Sequence, residues 1–328
     1  MGRSRHLEKL ERHRGTRDRT VMKHPYLVRW LGWCQPVTLV VGIVGVAVGL
    51  RIWGIWFGLP YIFHNDEDLE VVRALQLGSG SFDFQRIYKG GYFYLLFFEY
   101  GILFVVLKSL GVVDSAIDFA HYYFRDPSAF YLIGRATTAS IGAINVYLIY
   151  RMGRLAYSER VGLISAALLA VNVLHAKLSH YTTVDVPLAC LSTASLYFAI
   201  KVAMGGDRRQ YIWAAFFAAL AATTKITAIL LVIPLCLSHY FNVASAGAGL
   251  RRYFFAKSLW QAIATFVVVY TITTPGIVVY IGQFLGFMLR KFGIGDTVSS
   301  SVTSEVFARE SMYANTNMFA FYFDAVKD

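Results

Sequence analysis

The feature that most restricts this chain is a succession of predominantly apolar runs, on the scale of a hydrocarbon layer and set off from one another by polar or basic breaks. An α-helix rises 1.5 Å per residue, so about 20 apolar residues cross a bilayer core of roughly 30 Å. Such runs are expected near Pro36 to Phe57, Tyr131 to Tyr150, Val161 to His175, Val186 to Val202, Tyr211 to Thr223, Ile226 to Phe241, Leu259 to Ile281, and from Asn317 onward. That gives seven or eight spans in an all-α polytopic membrane protein. Composition agrees: 56% of the 328 residues are hydrophobic and only 16% are charged, which is too apolar for a soluble domain of this length.

The formal charge of +11 does not argue for nucleic acid, because the basic residues fall in clusters between apolar runs, where they act as topology signals. Four clusters stand out: residues 1–35, Arg151 to Arg160, Lys201 to Arg209, and Arg251 to Lys257. All four are expected on the cytoplasmic side. The domain reading is therefore a basic cytoplasmic tail over 1–35 followed by a transmembrane domain over 36–328, with external loops at about 58–130, 176–185 and 282–316. The three cysteines, Cys34, Cys190 and Cys236, lie in or beside apolar segments and suggest neither a disulfide framework nor a zinc site.

Keeping those clusters on one side fixes the parity of the segments between them. Tyr92 to Val113 is apolar enough to cross, yet one crossing there would move Arg151 to Arg160 to the wrong face. The stretch is expected as an interfacial or re-entrant helix, its aromatic residues forming an interfacial belt. Tyr211 to Phe241 must likewise be two short helices, turning at Thr223, Thr224 and Lys225.

With this topology, ionisable residues gather at the external ends of the spans: Asp66, Glu67 and Asp68, then Lys89, His180, Asp185, Lys225, and Glu305 with Arg309. Arg51 sits near the end of the first span. Carboxylates that accept protons beside lysines that neutralise phosphate, against an apolar wall, suit a substrate with a phosphate head and a lipid tail.

The segment His64-Asn65-Asp66-Glu67 with Val71 and Arg73-Ala74-Leu75, then Tyr88-Lys89, resembles the first external loop of C-type (GT-C) glycosyltransferases, in the protein O-mannosyltransferase and aminoarabinose-transferase branch. The stretch from Gly134-Arg135 to Arg154, the run Ser179-His180-Tyr181-Thr182-Thr183-Val184-Asp185-Val186-Pro187, and Thr224-Lys225 are similar to that branch in order and spacing. The resemblance covers roughly residues 45–285. It implies a GT-C-like helix bundle whose long first external loop carries juxtamembrane helices. It also implies inverting transfer of a hexosyl or pentosyl group, mannose-like, from a polyprenyl-phosphate donor to an acceptor outside the cytoplasm.

Carried over by position, Asp66 is the catalytic base, Glu67 orients it, and Asp185 is the second acidic site. A divalent metal at Asp66, Glu67 and Asp185 stays open. Lys89 matches the lysine near the carrier phosphate, with His180, Lys225, Glu305, Arg309 and Arg51 as further phosphate or substrate contacts. The chain departs from the branch where Gly90-Gly91 replaces a proline pair, and where Asp68 adds a third acid. Members of the branch continue for several more spans, so a fragment, a minimal form and a relative kept for assembly remain open. The competing reading is a non-catalytic GT-C-like subunit of a larger membrane complex, and a transporter is a third.

Overall fold

In the computed structural model, the residues described are 36–79, 90–245 and 250–274, with 281–282, 285–286 and 289. The chain divides into two compact units, 1–41 and 42–328, and the boundary between them falls within the first described helix. Twelve α-helices and two 3₁₀ turns account for the regular structure among these residues, and no strand occurs among them. They are α1 (Pro36–Ile52), α2 (Asn65–Gln76), α3 (Gly91–Ser109), α4 (Ala116–Arg125), α5 (Ser128–Ala156), α6 (Glu159–Ala170), α7 (Val173–Leu178), α8 (Asp185–Ala203), α9 (Arg208–Thr224), α10 (Val232–Ser245), α11 (Leu250–Phe255) and α12 (Lys257–Thr273). Four stretches are long and apolar enough to cross a membrane: α3, α5, α8, and Ile226–Ser245, which joins a 3₁₀ turn to α10.

Small residues set how closely these helices approach. A Cβ on Gly153 would lie 2.9 Å from the backbone of Gly162, and one on Gly162 would lie 2.6 Å from the Tyr150 carbonyl, so α5 and α6 meet backbone to backbone. On α9 the alanines at 214, 215, 218, 219, 221 and 222 are all buried, and α9 packs closely against both α8 and α12.

The run expected as one span from Val161 to His175 is broken in the structure. α6 ends at Ala170, where its 12 residues cover about 18 Å, and Asn172 starts α7 by accepting a hydrogen bond from the His175 amide at 2.9 Å. Arg51 explains the stop, since its guanidinium donates to the carbonyls of Leu169 and Ala170, at 3.2 and 3.1 Å, and so takes the place of further helical turns. At the other turn, α9 ends at Thr224 and Lys225 is extended, with φ −151° and ψ 124°.

The core beneath α2 is aromatic. Val71 and Ala74 of α2 pack with Tyr92, Leu96 and Tyr100 of α3, Tyr123 of α4, and Phe130 and Tyr131 of α5. The Phe130 ring lies edge-on or tilted to Tyr100, Phe119, Tyr122 and Tyr123, with centroids 5.1–6.3 Å apart. This corrects the belt reading of Tyr92 to Tyr100: Tyr92, Phe93, Leu96 and Tyr100 form a buried face, and the outward face carries Leu95 and Phe98.

The contact register gives the course of α3. The Tyr92 hydroxyl meets Thr138, Glu99 accepts from Thr137, and the Tyr100 hydroxyl donates to the Phe130 carbonyl. Tyr92 and Glu99, two turns apart on α3, thus meet adjacent residues of α5, as expected where one helix crosses another. Helix α3 lies across the start of α5 and does not run beside it toward its far end.

Candidate active site

The three acids in the first turn of α2 have three different settings. Glu67 is fully buried, and its two carboxylate oxygens accept from Arg135 Nε and Nη2 at 2.7 and 2.8 Å. Its Oε1 also accepts from the Thr182 amide at 2.9 Å. Arg135 in turn donates from Nη1 to the carbonyls of Ile55 and Phe57, both at 2.9 Å, and its guanidinium sits 4.5 Å from the Phe57 ring centre. One charge-assisted cluster thereby ties together α2, α5, the turn after α1 and the loop before α8.

Asp68 accepts from the Tyr131 hydroxyl at 2.9 Å. Asp66 is exposed, and among the described residues it has no hydrogen bond and no ion pair. Beside it, His64 precedes α2, its ring 4.6 Å from that of Tyr181, and Tyr181 stands edge-on to Phe57 at 5.4 Å.

The loop from Ser179 to Val184 reaches this place because α5 has glycine where it passes. A Cβ on Gly134 would overlap the Thr182 side chain, and one on Gly142 would lie 2.6 Å from Ser179 Oγ. The loop leads directly into Asp185 at the start of α8. There Asp185 accepts from Lys225 Nζ at 3.0 Å, with the two side chains 37% and 41% exposed.

The end of α9 is also where the chain re-enters α3. The Gly90 amide donates to the Thr223 carbonyl at 2.9 Å, which a proline could not do. A Cβ at Gly90 would overlap the Thr273 carbonyl, and one at Gly91 would lie 2.9 Å from Thr223 Oγ1. The Gly-Gly pair that departs from the expected prolines is therefore required by close approach to α9 and α12.

Several expected site residues have other roles. Arg51 is fully buried, bonded to the carbonyls of Ala47, Leu169 and Ala170 and to His175 Nδ1 at 2.9 Å, which leaves it no open face for the phosphate contact expected of it. His180 is held between the Ala176 carbonyl (Nδ1, 2.8 Å) and the Trp53 carbonyl (Nε2, 2.9 Å), which makes it a clip between α7 and the turn after α1. Both carboxylate oxygens of Glu67 are already engaged by Arg135 and the Thr182 amide. Among the described residues no group of three His, Cys, Asp or Glu could hold a metal, so Asp66, Glu67 and Asp185 do not assemble as one. Lys89, Glu305 and Arg309 lie outside the described residues, as do the tail and most of 282–316.

Arg135 and Tyr181 were not among the expected site residues, although the pattern held a sign of the first. Tyr131, Arg135, Thr138 and Gly142 recur at three- and four-residue spacing on α5 and are all buried, so a charge on that stripe demands a buried carboxylate.

Comparison with known proteins agrees with the fold. Residues 133–282, a little under half the chain, match the family described as dolichyl-phosphate-mannose-protein mannosyltransferase. The match begins just before Arg135 and takes in the Ser179–Asp185 loop, Lys225 and α12, but not α2 with Asp66 and Glu67. No curated protein matches the chain.

Proposed function

We propose that the chain, whose residues 133–282 match the dolichyl-phosphate-mannose-protein mannosyltransferase family, is a GT-C-type membrane glycosyltransferase that transfers a sugar from a polyprenyl-phosphate donor to an acceptor, with Asp66 as the base. The observation that carries this reading is the convergence of two acidic segments at one end of the bundle, where the loop leading into Asp185 is tied to Glu67 and leaves the adjacent Asp66 exposed, with no partner among the described residues. An unpaired carboxylate is the group able to take a proton. The acceptor hydroxyl loses its proton to Asp66 as its oxygen bonds to the anomeric carbon. The bond from that carbon to the phosphate oxygen breaks, and the polyprenyl phosphate leaves with the electron pair. Attack opposite the leaving group inverts the anomeric centre.

Lys225 is the described cation best placed for the leaving phosphate, because it is half-exposed and its partner Asp185 can be exchanged for another anion. The buried Glu67–Arg135 cluster fixes the first turn of α2 and hence the Asp66 carboxylate. The non-cytoplasmic placement of this end is supported by the basic clusters Arg151 to Arg160 and Lys201 to Arg209, which close α5 and α8 at their opposite ends. The course of α3 across α5 supports its reading as a helix of the external loop. A cysteine placed at Asp114, just beyond α3, is then labelled by an impermeant reagent from the same side as one placed at Tyr61. Labelling from opposite sides makes α3 a span.

The direct test supplies polyprenyl-phosphate sugars to the purified chain and to Asp66→Asn. Turnover is expected to fall by roughly 10²- to 10⁴-fold in the variant with folding unchanged. Equal turnover would remove Asp66 from the reaction. Absence of transfer by both, with a stable membrane partner co-purifying, would favour the non-catalytic subunit.

A further inference from the structure

Arg151 lies on α5 sixteen residues beyond Arg135, about 24 Å farther along the helix. It has no carboxylate partner among the described residues. Its guanidinium instead donates to the Tyr147 hydroxyl at 2.9 Å and the Tyr197 hydroxyl at 3.2 Å, and it lies 5.7 and 5.8 Å from the centres of those rings. Lys201, one turn after Tyr197 on α8, places its ammonium 4.6 Å from the same Tyr197 ring and 5.4 Å from that of Phe198. It too makes no ion pair with a described carboxylate.

Two cations from two helices thus share one buried tyrosine. Among the described residues their mutual repulsion is offset by the two tyrosine hydroxyls, by ring faces and by the C-terminal ends of α5 and α8, with no carboxylate. A snorkelling side chain would reach for water alone, whereas Arg151 is oriented by two hydroxyls and keeps further N–H donors for an anion.

The surroundings define what kind of anion fits. Ile144, Tyr147 and Arg151 follow one another at three- and four-residue spacing, so they share a face of α5. Ile144 is 53% exposed and Tyr147 39%. An apolar exposed stripe therefore leads from the cation pair toward the middle of the helix. On α8, Phe198 stacks on Trp213 and Phe217 of α9, which closes the other flank. We infer that Arg151 and Lys201, with the Tyr147 and Tyr197 hydroxyls, bind the phosphate of an anionic phospholipid in the leaflet opposite Asp66, with an acyl chain lying along Ile144. The lipid differs in kind and in leaflet from the sugar donor, so the site stands whether or not the transfer reaction does.

Native mass spectrometry of the detergent-solubilised full chain tests this, with phosphatidylglycerol, phosphatidylcholine of the same acyl chains, and inorganic phosphate as probes. The wild type is expected to retain phosphatidylglycerol in preference to phosphatidylcholine. The preference should fall by roughly 30-fold in Arg151→Gln/Lys201→Gln, the product of about fivefold per basic residue near a membrane surface. Arg151→Lys keeps the charge and should keep most of the preference. Arg208→Gln, which changes the same basic cluster away from the tyrosines, should leave it intact. Equal retention of the two lipids by the wild type would overturn the site, as would an unchanged preference in the double variant or an equal loss in Arg208→Gln. If the double variant does not fold, competition on the wild type decides. Inorganic phosphate at millimolar concentration should fail to displace phosphatidylglycerol, and displacement would assign the site to a free anion and overturn the lipid reading.

Discussion

Two ion pairs at the same end of the bundle join the same kinds of group in opposite solvents. Glu67 and Arg135 are at most 1% exposed and make further bonds to Thr182, Ile55 and Phe57, whereas Asp185 and Lys225 are more than a third exposed and, among the described residues, their charged atoms pair with each other alone. Removing one member of a buried pair strands the other charge away from water. Removing one member of an exposed pair returns the other to solvent. The first pair is therefore a fixed tie between helices, and the second is free to exchange partners with solvent.

The sharpest way to break this contrast is to remove one side of the buried pair. Arg135→Met leaves the Glu67 carboxylate with the Thr182 amide alone and should lower stability by about 3–5 kcal/mol, read as a large fall in thermal unfolding temperature in detergent or as loss of monodisperse protein. A loss below about 1 kcal/mol would mean that water reaches Glu67, and the distinction between the two pairs would vanish. Adding Glu67→Gln should recover part of the loss, because no charge is then left buried. A double-mutant cycle should report coupling of about 1 kcal/mol or more. Additive losses would show that the residues act separately.

A smaller effect is expected where the loop crosses α5. Gly134→Ala puts a methyl group into the space of the Thr182 side chain, so either the loop shifts or α5 does. The expected cost is about 1–3 kcal/mol. Because Thr182 also donates to Glu67, turnover should fall with stability. Thr182→Ala on the same background should restore part of both, while failure to do so would place the strain elsewhere on α5.

The helical class and the break before Lys225 were legible because hydrophobic run length and basic punctuation are local signals. The first turn of α2 was only half legible. Asp66 and Glu67 are adjacent, so a helix points them about 100° apart, and only one can face inward. The stripe Glu67, Val71 and Ala74 at four- and three-residue spacing identifies Glu67 as the inward one, and reading the pair as a chemical unit obscured it. Arg51 was misread for a different reason. Its position near a span end is typical of a snorkelling cation, and nothing local to α1 reveals that α6 ends beside it at the carbonyls of Leu169 and Ala170. That knowledge is tertiary, as is the fit of Gly90 against Thr223 and Thr273.

The smallest stability effect should come with a clear functional one. Asp185→Asn removes a charge from the exposed pair, and such pairs contribute about 0–1 kcal/mol, so the unfolding temperature should hardly move. The pair in the wild type should also weaken between low salt and about 1 M, where the Debye length falls to about 3 Å. If Lys225 exchanges Asp185 for the carrier phosphate, Asp185→Asn frees the ammonium and should tighten binding of a polyprenyl phosphate without sugar, while Lys225→Gln should weaken it. A loss of binding in both variants would instead make the pair a structural brace like Glu67–Arg135. Burial would then no longer separate the group that holds the site from the group that meets the substrate.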